Sequence, residues 1–159
     1  YCLVASAVRN NMRLISVVMG TKSEKARATE SQKLLSYGFR YFETVRLYDA
    51  REILNTVRLW NAEVSSVSMG LGEAVVITLP RGAKGSLSAT MDVESVILGP
   101  ISAGQALGQL TVSMGDNVVY EGPLIALADI PEAGFFKRMW HSLSLFFLQL
   151  FGGDPLKIP

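Results

Sequence analysis

Residues 109–128 read QLTVSMGDNVVYEGPLIALA, and this stretch sets the class of the fold. Its apolar and β-branched residues fall into three short runs: Gln109–Ser113, Asn117–Tyr120 and Leu124–Ala128. The residues between them, Gly115-Asp116-Asn117 and Gly122-Pro123, are typical of turns. The stretch therefore predicts three short β-strands joined by tight turns.

The same pattern of short strand-like runs separated by turn residues continues towards the N-terminus as far as about Val45. Further strand-like runs punctuated by Gly and Pro are Val57–Trp60, Val64–Met69, Ala74–Leu79, Leu87–Val93 and Val96–Leu98. Many short strands at this spacing indicate a small antiparallel β-sandwich, which we assign to residues 44–130. Gly104 and Gly108 suit tight turns or bulges in this domain.

Residues 1–43 have a different pattern. Two apolar runs, Tyr1–Val8 and Arg13–Met19, are joined through Asn10-Asn11, which tolerate the positive φ of a tight hairpin. Thr21 followed by Glu24 matches a capping box, so we predict a helix with Thr21 as its N-cap and Gly38 as its end. Because two strands alone are marginally stable, we expect the hairpin to complete a larger sheet with strands further upstream.

Residues 131–152 are predicted to form an amphipathic helix, followed by a tail at 153–159. The membrane-binding residues are the apolar arc of this helix and two adjacent cations: Phe135, Phe136, Lys137, Arg138, Met139, Trp140, Leu143, Phe146, Phe147, Leu150 and Phe151. The 17 residues from Phe135 to Phe151 would extend roughly 26 Å, which is short of the ~30 Å hydrocarbon core. We therefore expect the helix to lie in the membrane interface; the alternative is a helix docked on the protein's own core.

Composition and charge exclude several classes of function. With 49% hydrophobic and 18% charged residues the chain describes a folded protein, and its net charge of +1 argues against a nucleic-acid partner. One cysteine and one histidine give neither a metal-binding spacing nor a catalytic triad, since His141 lies on the polar side of the predicted helix. We therefore predict no metal, no cofactor and no catalytic residue in this chain.

The order of these parts resembles the C-terminal portion of the low-molecular-mass penicillin-binding proteins, the serine D-alanyl-D-alanine carboxypeptidases. The segments that carry the resemblance are YCLVASA (1–7), RLISVVMG (13–20), LLSYGFR (34–40), GQALG (104–108), GPLIA (122–126) and IPEAGFF (130–136). These segments are spread over nearly the whole length of the chain, although residues 153–159 have no counterpart in the pattern.

The resemblance implies a periplasmic enzyme, peripheral on the outer face of the inner membrane, that removes the terminal D-alanine of peptidoglycan pentapeptides. Such enzymes use Ser-x-x-Lys, Ser-x-Asn and Lys-Thr-Gly motifs, and none of the three occurs here. In the family, residues 1–43 would end the α/β transpeptidase-type domain, the β domain would hold that domain away from the membrane, and the C-terminal helix would be the anchor.

Three classes of function stay open at this stage. The chain is either the supporting and anchoring part of such a carboxypeptidase, a non-catalytic β module attached to a membrane surface, or a structural domain whose Phe/Trp face is buried in an oligomer. The first is favoured because the hairpin lacks the rest of a sheet. Protein partners of the β domain are not indicated by the sequence.

Overall fold

The structure is a computed structural model and describes residues 1–134. Its elements are β1 (Leu3–Arg9), β2 (Met12–Val18), α1 (Glu24–Tyr41), β3 (Phe42–Tyr48), β4 (Asn55–Arg58), β5 (Ser66–Gly70), β6 (Val75–Pro80), a 3-10 turn (Ala83–Ser86), β7 (Leu87–Val93), β8 (Ala106–Met114) and β9 (Asn117–Ala126). The described part is thus mostly β with antiparallel pairing and one α-helix, as predicted.

The chain divides into two compact units. Unit 1 comprises Tyr1–Leu47 and Val76–Leu87, and unit 2 comprises Tyr48–Val75 with the residues from Ser88 onward. Within unit 1, β1 and β2 form one two-stranded sheet and β3 and β6 form another. The division predicted from the sequence, 1–43 followed by 44–130, stays a prediction about domains.

The predicted N-terminal hairpin is confirmed. β1 and β2 pair antiparallel from Leu3 opposite Val18 to Arg9 opposite Met12. The turn is made by two asparagines with φ of 49° and 60°, the left-handed conformation that asparagine tolerates better than most residues.

The predicted ends of α1 are wrong at both termini. The N-cap is Ser23, whose hydroxyl accepts a hydrogen bond from the Ala26 N–H at 3.1 Å. Thr21 instead pairs with Tyr1, so its backbone belongs to the base of the hairpin. Gly38 lies inside the helix, where a Cβ would overlap the Leu14 side chain. Its lack of a side chain therefore permits close packing of α1 on β2.

The largest sheet lies in unit 2 and has five strands in the order β4-β5-β9-β8-β7. Two sequence predictions fail here. Gly122-Pro123 is not a turn, because both residues lie inside β9, where Gly122 pairs with Leu110 and Pro123 with Gln109. The run Val96–Leu98 makes only an isolated bridge, between Leu98 and Trp60.

The prediction that Gly108 suits a turn or bulge agrees with the structure, since the β8–β9 register shifts between Ala106 and Gly108. β3 has no counterpart among the strands predicted from the sequence, because it spans the predicted domain boundary between residues 43 and 44.

The core of unit 2 is formed by one side of this sheet together with the segments around residues 60, 100 and 130. Its largest fully buried side chains are Trp60, Leu59, Met69, Leu71, Ile97, Leu107, Leu110, Leu124, Val67 and Val112. Antiparallel pairs account for β4–β5, β5–β9 and β8–β9. A second sheet facing this one is not among the described elements of unit 2, so the sandwich stays a prediction.

Candidate functional site

Charge is divided very unevenly between the two units. Unit 1 carries ten Lys/Arg and three Asp/Glu, a net charge of +7. The described residues of unit 2 carry two Lys/Arg and ten Asp/Glu, a net charge of −8. The sequence shows this once the units are known, because residues 88–134 contain six acids and no Lys or Arg. The whole-chain value of +1 conceals it.

Both arginines among the described residues of unit 2 contact protein groups. The Arg58 guanidinium lies 4.0 Å from the centroid of the buried Trp60 ring. Arg51 donates to the Leu127 carbonyl at 2.8 Å. The surface of unit 2 in the described residues is therefore strongly acidic, a property that favours cationic partners and repels polyanions.

The last described segment, residues 130–133, is fixed to the core of unit 2 by backbone hydrogen bonds. Ile130 and Ile101 exchange two, at 2.8 and 3.0 Å. Glu63 donates to the Pro131 carbonyl, and Ala133 donates to the Asn61 carbonyl, both at 3.0 Å. Four backbone bonds thus hold the chain immediately before the predicted membrane-binding helix.

The eleven predicted membrane-binding residues, from Phe135 to Phe151, lie outside the described residues. Within residues 1–134 no helix combines the length and the apolarity that crossing a membrane requires. In the same part of the chain, no three His, Cys, Asp or Glu side chains are close enough to hold a metal ion.

The hairpin of unit 1 has one apolar face that the described residues leave open. The strand register places Val4, Val8, Ile15 and Val17 on this face, with exposed fractions between 57 and 69%. The opposite face contains the buried residues of β2 and contacts α1. An exposed β-branched face on a two-stranded sheet is typical of a surface that further structure covers.

The end of α1 is capped by Arg81, a role that sequence reasoning did not identify. Its guanidinium donates to the carbonyls of Phe39, Arg40 and Phe42 at 3.1 to 3.2 Å. Its backbone N–H donates to the Tyr41 carbonyl at 2.8 Å. A cation at this end of a helix satisfies carbonyls that have no partner within the helix and interacts favourably with the helix dipole.

We expect Arg81→Met to loosen the last turn of α1. Charge-assisted hydrogen bonds would be lost, but the side chain is 53% exposed and water can replace part of them. The amide hydrogen-exchange protection of residues 38–41 should fall about tenfold, which corresponds to roughly 1.4 kcal/mol. Lys84→Met removes a neighbouring cation without such bonds and serves as the control. Equal protection in both variants would contradict the capping role.

A family model described as penicillin-binding protein 5, C-terminal domain, matches residues 42–132. D-alanyl-D-alanine carboxypeptidase DacC of Escherichia coli strain K12 is 40% identical over 153 residues, covering 96% of this chain and 38% of that protein. Carboxypeptidase DacA of the same strain is 36% identical, with the same coverage of both chains. The chain therefore spans well under half the length of these relatives.

A solved structure gives the same relationship. The crystal structure of penicillin-binding protein 5 from Haemophilus influenzae superposes with a TM-score of 0.74 at 34% identity, covering 83% of this chain and 39% of that one. By the family match and these relatives, the chain belongs to the penicillin-binding protein 5 C-terminal domain family and fits the C-terminal portion of a low-molecular-mass penicillin-binding protein.

Proposed function

We propose that this chain is the supporting and membrane-anchoring part of a D-alanyl-D-alanine carboxypeptidase, which trims pentapeptides of peptidoglycan through a serine acyl-enzyme. The observation that carries the proposal is the similarity to two such carboxypeptidases over 96% of the chain. Because the chain spans only 38% of their length, the hydrolytic activity is proposed for the longer polypeptide.

The catalytic serine is proposed to lie outside this chain. Acylation in this class needs a Ser-x-x-Lys motif, with a Ser-x-Asn motif and a Lys-Thr-Gly strand beside it. No serine of the 159 residues has Lys three positions later or Asn two positions later, and no Lys precedes Thr-Gly. We therefore assign no catalytic residue to this chain.

Residues 1–43, which lie in unit 1, are proposed to be the end of the α/β transpeptidase-type domain. The open face with Val4, Val8, Ile15 and Val17 supports this, since burying it would remove four large apolar side chains from water. The packing of α1 against the other face of the hairpin is compatible with a sheet covered on both sides.

The C-terminal segment is proposed to attach the protein to the outer face of the inner membrane, in the periplasm. The support is the apolar arc of the sequence between Phe135 and Phe151. The acidic surface of unit 2 argues for a predominantly hydrophobic attachment, because anionic lipids repel the net charge of −8 on its described residues.

A second candidate function is a non-catalytic β module on a membrane surface. The acidic surface of unit 2 favours it, since this surface could recruit cationic protein partners without any catalysis. The two candidates differ in what precedes residue 1 in the complete polypeptide.

A labelled β-lactam tests the proposal. The 159-residue chain should not be acylated, whereas the same chain extended by its upstream coding sequence should be labelled at one serine. A stoichiometric adduct on the shorter chain would show that it contains an active site. If the upstream sequence lacks Ser-x-x-Lys, the carboxypeptidase assignment fails and the β module becomes the conclusion.

A further inference from the structure

β7 is an edge strand of the large sheet, and it is exposed on both of its faces. Among the described strands its only neighbour in that sheet is β8. Five consecutive residues of β7, from Ser88 to Asp92, are all exposed. β8 and β9, by contrast, contain several buried residues.

This edge lacks two of the features by which proteins usually prevent strand addition, and Asp92 is its single charged residue. Edge strands commonly carry lysine or proline, which discourage pairing with another chain. β7 reads LSATMDV and contains neither. Its outer side therefore offers backbone N–H and C=O groups to an extended segment, a common mode of peptide recognition.

The edge is held in place by a close approach to β8. The Glu94 N–H donates to the Leu107 carbonyl at 3.2 Å. At Gly108 a Cβ would overlap the Asp92 carbonyl oxygen, so only glycine permits this spacing. An added strand would find its template already formed, which lowers the entropic cost of binding.

A groove of about 720 Å³ lies over the sheet, across the end of β7 and the adjoining parts of β8 and β9. Three carboxylates line it, those of Asp92, Glu94 and Glu121. Glu121 accepts a hydrogen bond from the Gln109 amide at 2.5 Å, which fixes one wall. Between the acids the lining is small, with Gly108 and Gly122 among it.

We propose that the β7 edge accepts an extended, lysine- or arginine-bearing segment of a partner protein as a sixth strand, with its cations paired to Asp92 and Glu94 at the end of β7. Strands lie about 4.8 Å apart, so a lysine on the added strand reaches the acids at the end of β7. Pairing of the β7 edges of two copies of this chain is disfavoured, because the described residues of each unit 2 carry a net charge of −8.

The first test uses a synthetic nine-residue peptide in which Lys alternates with Thr or Val, capped at both ends. Its binding to the full 159-residue chain is measured by calorimetry at low salt. We expect binding by this peptide, no binding by the version with Glu in place of Lys, and loss of binding when alternate amides are N-methylated. Binding that survives N-methylation in both registers would overturn strand addition, and no binding up to about 1 mM would overturn the proposal entirely.

The second test places charge changes in the protein. The double variant Asp92→Asn with Glu94→Gln should weaken binding of the Lys peptide about fivefold, as expected for two exposed ion pairs. The matched double variant Glu73→Gln with Asp116→Asn removes the same charge from unit 2 outside the groove. When both pairs are compared at 0.15 M salt, where the screening length is about 8 Å, it should change binding less than twofold. Equal weakening by both pairs would show that net charge, not the β7 edge, attracts the peptide and would overturn the site.

Discussion

Trp60→Ala is expected to lower the free energy of unfolding of unit 2 by about 3–5 kcal/mol. The Trp60 side chain is completely buried, and the Arg58 guanidinium stacks on its ring. Its backbone donates to the Ile97 carbonyl at 2.9 Å and accepts from the Gly99 N–H at 2.7 Å. Truncation would leave a cavity where the residues that follow β4 meet the segment around residue 98.

Urea denaturation with hydrogen-exchange readout of the β8 and β9 amides measures this effect in unit 2 alone. Val118→Ala is a suitable control, because Val118 lies on β9 and is 58% exposed. We expect the control to change stability by less than about 0.5 kcal/mol. A loss below about 1 kcal/mol for Trp60→Ala would mean that Trp60 is not central to the core.

Phe147→Asp is expected to release the protein from phospholipid vesicles. The substitution places a charge in the middle of the predicted apolar arc and removes a side chain whose burial contributes roughly 1.5–3 kcal/mol. The partition coefficient should therefore fall about 10- to 100-fold. Trp140→Asp should act in the same direction, and 0.5 M salt alone should detach the parent chain only weakly, as expected where hydrophobic burial dominates.

Ser144→Asp is the matched control, since it adds the same charge to the polar side of the same predicted helix. It should leave vesicle flotation nearly unchanged. Persistence of Phe147→Asp on vesicles at high salt would remove this face from the anchoring role. If Phe147→Asp lowered the stability of unit 2 but floated with vesicles to the same extent as the parent chain, the result would favour a helix docked on the protein's own core.

The features that sequence predicted well are the local ones. Asn10 and Asn11 specify the hairpin turn by their own tolerance of positive φ, so no distant residue is needed. β7 also has the predicted bounds, Leu87–Val93.

The failed predictions involve tertiary contacts. Thr21 matches a capping signal, yet its hydroxyl donates to the Tyr1 carbonyl at 3.1 Å, and the cap falls to Ser23. Pro123 belongs to a predicted turn, yet it lies inside β9. On the side that faces β5, β9 pairs only at Ile125 and Ala126, so Pro123 has no ladder partner there. Proline is tolerated in a strand where one side carries no ladder partner.

The candidate surfaces were harder to predict than the strands. Arg81 caps α1 from more than forty residues away in sequence, and no local pattern around it indicates that role. The acidic character of unit 2 was present in the composition of residues 88–134, but a whole-chain charge of +1 averaged it away. The acidic character becomes visible only when the charges are counted for each unit separately, which requires the fold.

The four backbone bonds at Ile130, Pro131 and Ala133 have a mechanical consequence. A tensile load applied beyond Gly134 enters the core through Asn61, Glu63 and Ile101 before it can reach β9. Such a load meets the Ala133 bond to Asn61 first, then the Pro131 bond to Glu63, and last the two bonds between Ile130 and Ile101. A protein tethered by its C-terminal end would thus have to lose backbone bonds to two separate segments of the core before the tension reached β9.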